Sequence, residues 1–380
     1  MAKPDPLAVY VHWPYCARIC PYCDFNVYKQ REDDGLLQSI CDDAAGWREM
    51  SGPREVSSIH FGGGTPSLMS PDDVGAVIVA IAKHWTLLPE AEIAIEANPQ
   101  DMDKARWEGY RKAGINRLSL GVQSFNDKAL SLLGRDHDGA KGCAALALAT
   151  AIFPSVSLDV IFGWAGQSEV LLQEDLDIAI GSGTQHISAY QLTIEEGTAF
   201  AKAEERGQSR AVEADASAGF YEGVRERLIG AGFEHYEVSN FAKPAHRSRH
   251  NLAYWQGRDY AGLGPGAHGR LTREGQRMAS VAELTPAAYQ SRVAARGTGI
   301  AELETLSASD WAEEYLLMGL RIEEGISQAR YEALAGRGLP QDVMQNLAAQ
   351  GLLICKDGRV AASREGRMVL NTITEQLLLG

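Results

Sequence analysis

The feature that most constrains the fold is a series of β-rich segments that alternates with helical segments through the first half of the chain. The β-rich segments are short and rich in β-branched and aliphatic residues, as buried strands are. They begin at residues 7 (LAVYVHW), 56 (VSSIHFGGG), 91 (AEIAIEAN), 117 (RLSLGVQ), 155 (SVSLDVIFG) and 186 (HISAYQLT). Between them lie segments with helical spacing, such as SPDDVGAVIVAIAKHW, in which Ser70 and Pro71 predict a helix start. The alternation predicts a parallel sheet with crossover helices.

Polar or flexible residues occur at or near the carboxyl end of each predicted strand. They are Cys16 to Cys23 after the first strand, Gly62 to Thr65 at the end of the second, Glu96 and Asn98 at the end of the third, Gln123 in the fourth, Asp159 in the fifth, and Tyr190 and Gln191 in the sixth. In barrel proteins such side chains converge on one ligand. We therefore favour a barrel over an open sheet and predict an α/β fold, a partial (β/α)6 barrel, over residues 1–231.

The remainder of the chain is predicted to form two further regions. Residues 232–300 are rich in aromatic residues, histidine and glycine without a clean period, so we expect an irregular connecting segment over a site. Residues 301–380 contain three amphipathic helical patterns and a hairpin with Asp357-Gly358 as its turn, which predicts a small, mostly helical, winged-helix-like domain. Its 7 basic and 12 acidic residues disfavour DNA binding, so we expect a packing or partner domain.

Composition and charge exclude several classes of protein. The net charge of −14 disfavours binding of nucleic acid or anionic lipid through bulk electrostatics. There is no apolar run of about 18 residues and no secretory signal pattern, which predicts a cytoplasmic protein. Cys41, Cys143 and Cys355 are scattered singly, so a disulfide framework is not expected. The other three of the six cysteines are better assigned to metal or redox chemistry.

Those three residues, Cys16, Cys20 and Cys23, form a CxxxCxxC pattern directly after the first predicted strand. Thiolates hold iron–sulfur clusters, and three of them ligate three irons of a four-iron cube and leave the fourth for a ligand that is not protein. Two alternatives stay open: a zinc site completed by His12, and a redox pair of Cys20 and Cys23. We favour the cluster, because this pattern after a first barrel strand is specific whereas an isolated CxxC is not.

In this pattern the sequence resembles the radical S-adenosylmethionine (SAM) superfamily, whose CxxxCxxC loop binds a 4Fe-4S cluster and leaves one iron for the cofactor. The resemblance implies a cluster at these three cysteines, bound SAM and a 5′-deoxyadenosyl radical formed on reduction. Further positions resemble the SAM-binding set of one subfamily, the oxygen-independent coproporphyrinogen III oxidases and their relatives. These positions are Tyr10, Gly63, Gly64, Thr65, Glu96, Gln123, Arg135 and Asp159.

The chemistry of these residues suits the implied roles. The glycines let the backbone approach the methionyl part of the cofactor without obstruction. Glu96 suits a bidentate grip on ribose hydroxyls, with an ordinary ion pair as the alternative. Gln123 both donates and accepts, which suits the amino-acid end, and Arg135 offers a planar cation for its carboxylate. An unpaired Asp159 in an apolar strand would be costly, so a partner is expected.

Two features separate the branches of this subfamily. The oxidases carry a further cysteine two residues after the third and a longer N-terminal extension, whereas this chain has Phe25 there and nine residues before Tyr10. Residues 250–255, HNLAYW, match the HNxxYW motif of relatives known as HemW-type heme chaperones. The resemblance implies a heme site at the motif, with His250 as axial ligand and with Tyr254 and Trp255 as flat apolar surface.

Neighbouring residues extend this interpretation. Arg247, Arg249 and Arg258 would neutralise the heme propionates. His246, four residues before His250, is a rival ligand if the segment is helical. The structural alternative is that His250 caps a turn and that the aromatic residues belong to the core.

The sequence therefore predicts a heme chaperone that binds heme, a 4Fe-4S cluster and SAM and delivers heme to a respiratory heme protein. The alternative is a radical SAM enzyme of the coproporphyrinogen III oxidase type in porphyrin biosynthesis, which Phe25 disfavours, so whether the chain is an enzyme stays open. We expect two partners, a heme acceptor that is soluble or membrane-associated and a low-potential electron donor. We expect no nucleic acid, and a homodimer stays open.

Overall fold

A computed structural model describes residues 5–29 and 35–379 of the chain. The strands of these residues are β1 (Leu7–Trp13), β2 (Tyr15–Cys16), β3 (Tyr28–Lys29), β4 (Glu55–Gly63), β5 (Thr86–Ala97), β6 (Arg117–Gln123), β7 (Ser155–Phe162), β8 (His186–Gln191), β9 (Glu234–Glu237), β10 (Asn240–Ala242), β11 (Tyr260–Leu263), β12 (His268–Arg273), β13 (Gln276–Ala282), β14 (Ile300–Thr305), β15 (Ile326–Ser327), β16 (Leu353–Lys356) and β17 (Arg359–Ala362). The helices are α1 (Leu36–Ser51), α2 (Pro71–His84), α3 (Lys104–Ala113), α4 (Asp127–Leu132), α5 (Gly139–Ile152), α6 (Glu169–Gly181), α7 (Ala199–Glu204), α8 (Ala214–Gly230), α9 (Arg249–Trp255), α10 (Pro286–Arg296), α11 (Ala308–Gly319), α12 (Gln328–Ala335), α13 (Gln341–Ala349) and α14 (Leu370–Leu379). Within the described ranges, no helix has the length and apolar content needed to cross a membrane.

The predicted parallel sheet is confirmed. The β-rich segments of the sequence correspond to β1, β4, β5, β6, β7 and β8, which are neighbours in that order and pair in parallel. Helices α1 to α6 lie in the connections between them. The fold is the predicted α/β partial barrel, and its parallel strands direct their carboxyl ends to one rim.

Helix α2 shows why the sequence pattern was a reliable guide in this half. The Ser70 hydroxyl accepts a hydrogen bond from the Asp73 backbone N–H, and the Asp73 carboxylate accepts one from the Ser70 N–H, each at 3.1 Å. This capping box satisfies donors that a helix start leaves free. The helix buries Val74, Val77 and Ile81, which recur at helical spacing.

The prediction that residues 232–300 form an irregular segment is wrong. Strands β10 and β9 continue the main sheet beyond β8, and β11 to β14 continue it beyond β1. These strands are short, and polar side chains interrupt their apolar alternation. Arg277 of β13, for example, is buried and pairs with Asp259 at 2.7 Å. A segment whose buried positions hold paired charges shows no hydrophobic period, which is why the strands were missed.

The C-terminal region has its own hydrophobic core, formed by residues from Ala312 to Leu377. It consists of α11 to α14 and a small sheet in the order β15-β17-β16. The predicted hairpin is present as β16 and β17, and Asp357 and Gly358 turn between them with φ angles of 51° and 71°. The predicted boundary at residue 301 falls inside β14, so the last strand of the main sheet extends past it.

A buried ion pair joins this C-terminal region to the main sheet. The Glu237 carboxylate of β9 is fully buried, accepts a hydrogen bond from Arg321 Nε at 2.9 Å and lies 2.7 Å from an Nη of the same guanidinium. The same carboxylate accepts from the Ser239 N–H at 2.9 Å and from the Asn240 side-chain amide at 2.6 Å. Removing one partner of such a pair leaves an uncompensated charge.

We predict that Arg321→Ala lowers the free energy of unfolding by about 2 kcal/mol, because it leaves the Glu237 carboxylate buried without its cation. Arg364→Ala is the matched control, since Arg364 pairs with Glu222 and Glu226 at the surface and should change stability little. Urea unfolding of the two variants measures the difference. Equal losses would show that the buried pair is not a specific anchor.

Candidate cofactor site

A cavity of about 410 Å³ opens at the carboxyl ends of the parallel strands. The structure brings most of the predicted site residues together in its wall. These are Cys16, Cys20, Cys23, Gly63, Gly64, Thr65, Glu96, Gln123, Arg135 and Asp159. Tyr10 and the HNxxYW residues lie outside this lining.

The cysteine loop follows β1 and is held by local hydrogen bonds. Cys16 lies in β2, which pairs with β3, and the Cys23 N–H donates to the Cys20 carbonyl at 3.2 Å. Arg135 approaches Cys20, with its Nη1 3.4 Å from the sulfur. Burial raises the pKa of the Cys16 thiol, and it raises the pKa of Cys23 to about 11. Binding of a metal to these thiols would therefore release protons at neutral pH.

The glycine segment at the end of β4 is bound directly to the cysteine loop. The Gly64 N–H donates to the Trp13 carbonyl at 2.7 Å, and the Thr65 N–H donates to the Tyr15 carbonyl at 2.8 Å. A Cβ atom on Gly64 would lie 2.7 Å from that Tyr15 oxygen, which is closer than packing allows. Gly63 has a φ of 106°, a conformation that favours glycine. The glycines are therefore required by the contact between the two loops as well as by any ligand.

Glu96 presents an oriented carboxylate to the cavity. Its Oε1 lies 2.9 Å from His60 Nε2, and its Oε2 accepts a hydrogen bond from the Gly63 N–H at 3.3 Å. The side chain is 37% exposed, so its oxygens can still reach a ligand in the cavity. Fixed orientation and access together suit recognition of a pair of hydroxyl groups.

Two further residues carry buried, unpaired polar atoms, which indicates that the cavity binds a polar ligand. Among the described residues, Gln123 Oε1 and Arg135 Nε are buried without a hydrogen-bond partner. Gln123 also has a φ of 71°, in the left-handed region that non-glycine residues rarely adopt. Strained backbone clusters at binding sites, and a buried polar group without a partner calls for an explanation such as a bound ligand. One amide acceptor beside one guanidinium fits the amino and carboxylate groups of an amino acid.

Asp159 has the partner that the sequence led us to expect. The Ser119 hydroxyl donates to its carboxylate at 3.2 Å. Burial, reinforced by the Glu96 charge, raises the pKa of Asp159 to about 6. Two carboxyl groups at one wall of the cavity thus differ in their environment, since Glu96 is held by donors and Asp159 is desolvated.

Tyr10 lies below the cavity, on the inner face of β1. Its hydroxyl is 3.0 Å from His12 Nδ1, and His12 Nε2 is 2.9 Å from the Asn26 carbonyl. The hydrogen bond that engages His12 Nε2 does not favour the alternative in which this histidine completes a zinc site.

The structure contradicts the expectation that His250 presents a free nitrogen to heme. His250 is 1% exposed, its Nδ1 is 3.0 Å from the Ser58 hydroxyl, and its Nε2 is 2.7 Å from the Tyr254 hydroxyl. Tyr254 packs edge-on against His250 and Tyr260, and Trp255 lies under the Arg321 guanidinium. Both ring nitrogens are engaged because α9 packs into the barrel, which its sequence alone does not indicate.

Two of the arginines near the motif make contacts within the protein. Arg247 pairs with Glu234, Glu323 and Glu324 at distances of 2.6 to 3.0 Å. Arg249 donates to the Glu90 carbonyl. The Arg247 charge is therefore neutralised by carboxylates, whereas Arg249 is exposed and bonded only to a backbone carbonyl in the described residues.

Two polar residues inside the barrel, Ser58 and His60, were not predicted from the sequence, whereas Gly62 was. Ser58, His60 and Gly62 alternate along β4 and face the interior, where His60 contacts Glu96 and Ser58 contacts His250. The signal was present, because every second residue of SSIHFGG is polar or lacks a side chain. The apolar residues of the same segment led us to predict an ordinary buried strand without a polar face.

Comparisons with known proteins agree with this geometry. The sequence profile of the Radical SAM superfamily matches residues 10–179, and that of the HemN C-terminal domain matches residues 306–369. The mitochondrial "Radical S-adenosyl methionine domain-containing protein 1" of Danio rerio is 37% identical over 98% of this chain and 87% of its own length.

"Heme chaperone HemW" of Mycobacterium tuberculosis (strain CDC 1551 / Oshkosh) is 35% identical over 98% of this chain and 95% of its own length. HemW of Escherichia coli (strain K12) is 34% identical over the whole of both chains. The chain belongs to the radical SAM superfamily. Within it, the chain is a full-length relative of the HemW proteins, which confirms the predicted subfamily.

Among solved structures, coproporphyrinogen III oxidase (HemN) from Escherichia coli is similar, with a TM-score of 0.82 over 98% of this chain and 90% of that chain. Its sequence identity is 21%, so this likeness confirms the radical SAM fold and not the oxidase activity.

We predict that Asp159→Asn changes how stability depends on pH. The folded chain holds the Asp159 proton more tightly than the unfolded chain does, so ionisation destabilises the fold as pH rises from about 4 through about 6. Relative to the Asn variant, the parent should lose about 1 kcal/mol of unfolding free energy between about pH 5 and pH 7.5. Urea unfolding at both pH values measures this loss, and a difference that is independent of pH would contradict it.

Proposed function

We propose that this chain is a heme chaperone that holds a 4Fe-4S cluster and SAM and delivers heme to a respiratory heme protein. The observation that carries the proposal is the similarity to HemW proteins over the full length of the chain. It covers both the cavity and the C-terminal region.

The cavity supports a role for the cluster and SAM. Cys16, Cys20 and Cys23 would hold three irons, and the fourth would take the amino and carboxylate groups of SAM. The unpaired Gln123 and Arg135 atoms would bind the same amino-acid end. When bound and reduced, such a cluster supplies the electron for cleavage of the cofactor.

Other residues of the site would hold the remaining parts of SAM. The Glu96 carboxylate would accept from the ribose hydroxyls, and the backbone of Gly63, Gly64 and Thr65 would border the methionyl chain. Asp159 lies at the same wall and would contact the nucleoside. Tyr10, below this wall, would support it through its packing against His60, with ring centroids 6.2 Å apart.

We predict that Cys23→Ser removes most of the iron and the visible charge-transfer absorption of anaerobically reconstituted protein, because a hydroxyl is a poor cluster ligand. Cys41→Ser is the control, since Cys41 lies on α1, outside the cavity lining. Iron and sulfide analysis with absorption spectra gives the comparison. Colourless parent protein that binds zinc instead would refute the cluster.

The alternative is a radical enzyme of the coproporphyrinogen III oxidase type. One observation favours it, because Tyr190, Leu192 and Glu195 also line the cavity beside the SAM-binding candidates and leave room for a substrate. Against it stands Phe25, which lines the cavity and is 60% exposed where the oxidases carry a further cysteine. We therefore retain the chaperone as the proposed function.

We predict that the cluster-loaded parent binds stoichiometric heme under anaerobic conditions, seen as a shifted Soret band. His246→Ala should alter that spectrum, because His246 is half-buried and, among the described residues, its ring has no hydrogen-bond partner. Burial and the Arg117 cation lower the pKa of His246, so its ring is neutral and able to bind iron.

The result that would contradict the chaperone is an intact cluster with no heme binding. Turnover of coproporphyrinogen III with consumption of SAM would then support the oxidase. The compartment and partners stay proposals: a cytoplasmic protein that meets an electron donor and a soluble or membrane-associated heme acceptor. The family does not fix the compartment, because its vertebrate relatives are described as mitochondrial.

A further inference from the structure

The HNxxYW helix, α9, closes the barrel at the end opposite the cavity. The Ser248 hydroxyl donates a hydrogen bond to Glu92 Oε1 at 3.3 Å, and the backbone N–H of His250 donates to the same oxygen at 3.1 Å. Glu92 lies near the middle of β5 and forms an ion pair with Arg117 at 3.2 Å. Glu96 follows four residues later on the same face, about 13 Å along the strand. The motif and the cavity therefore occupy successive levels of one barrel interior.

Aromatic rings fill the level between them. The rings of His250 and His60 are stacked, with centroids 4.9 Å apart and planes at 17°. The Tyr10 ring lies 6.2 Å from His60 and 6.3 Å from His250. His60 Nε2 in turn lies 2.9 Å from Glu96 Oε1. A single imidazole thus separates the motif from a carboxylate of the cavity wall.

The two stacked histidines differ in how they are fixed. His250 is held at both nitrogens, by Ser58 and by Tyr254, so the plane of its ring is determined. His60 Nδ1 is buried and, among the described residues, has no hydrogen-bond partner. The orientation of His60 therefore depends on its bond to Glu96 and on the rings packed against it. The Tyr10 and His250 planes both make an angle of 17° with His60, but the His250 ring is closer, at 4.9 Å against 6.2 Å, so we take its contact as the stronger constraint on where His60 directs its Nε2 atom.

We propose that His250 is a positioning residue of the SAM site and not a heme ligand. The His250–His60 stack holds the Glu96 carboxylate in the orientation that accepts the cofactor's ribose. The inference rests on the proposed SAM site. It gives the HNxxYW helix, α9, the role of supporting that site from the opposite end of the barrel.

The first experiment measures SAM binding to cluster-loaded protein by equilibrium dialysis. His250→Ala should weaken SAM binding about tenfold, the effect of losing one buried polar contact. His60→Ala should weaken it to a similar extent, and the double variant should be no weaker, because both act on Glu96 in series. His84→Ala is the matched control and should leave SAM affinity unchanged, because His84 lies at the end of α2, outside the cavity lining.

His250→Phe separates a positioning role from metal ligation. Phenylalanine keeps a flat ring against His60 but cannot bind iron and loses the hydrogen bonds to Ser58 and Tyr254, so this variant should bind SAM more tightly than His250→Ala and more weakly than the parent. Iron content and the electron paramagnetic resonance (EPR) spectrum of the reduced cluster without SAM should match the parent in every variant, which shows that the site is folded. Addition of SAM should change the EPR spectrum of the parent and of His250→Phe, and less so that of His250→Ala at the same concentration.

Three results would overturn the inference. Unchanged SAM affinity in His250→Ala would show that the stack does not position Glu96. Loss of the heme Soret shift in His250→Phe, with SAM binding intact, would make His250 the heme ligand after all. A parent that carries its cluster but does not bind SAM would refute the proposed SAM site itself, a failure distinct from the first two.

Discussion

Parallel pairing of the barrel strands is the constraint on which the rest of the structure depends. Because β1 and β4 to β8 run in one direction, every loop that follows them emerges at the same rim. The cysteine loop, the glycine segment, Glu96 and Gln123 are distant in sequence and become neighbours for this reason alone. The sheet brings these loops close together, and hydrogen bonds between the loops then fix their relative positions.

The polar interior of the barrel imposes a second requirement, since buried polar groups need partners. Arg117 pairs with Glu92 at the lower level, and His60 Nε2 contacts Glu96 beneath the cavity. Helix α9 completes the lower level with its backbone N–H and with His250. A motif that looks like a ligand set in sequence therefore serves first to satisfy charges and hydroxyl groups that the strands bring inside.

The sequence was sufficient for features whose cause is local. Strand periodicity, the Ser70 cap and the Asp357-Gly358 turn each depend on a few adjacent residues, and all three were predicted. The surroundings of His250 depend on Ser58, which is 192 residues away, so no local pattern could reveal them. The strands after residue 232 were missed for a related reason, because their buried charges are neutralised by partners from other elements, as Arg277 is by Asp259.

The hydrogen bonds of Gly64 and Thr65 to the carbonyls of Trp13 and Tyr15 have a consequence for protein engineering. The cysteine loop takes its shape from a second segment some fifty residues further along the chain. A CxxxCxxC loop transplanted alone would carry the three cysteines. It would lack the glycine segment whose hydrogen bonds fix the conformation of the loop. The portable unit is the pair of loops with the two strands that present them, and a graft of that unit should accept metal where the loop alone does not.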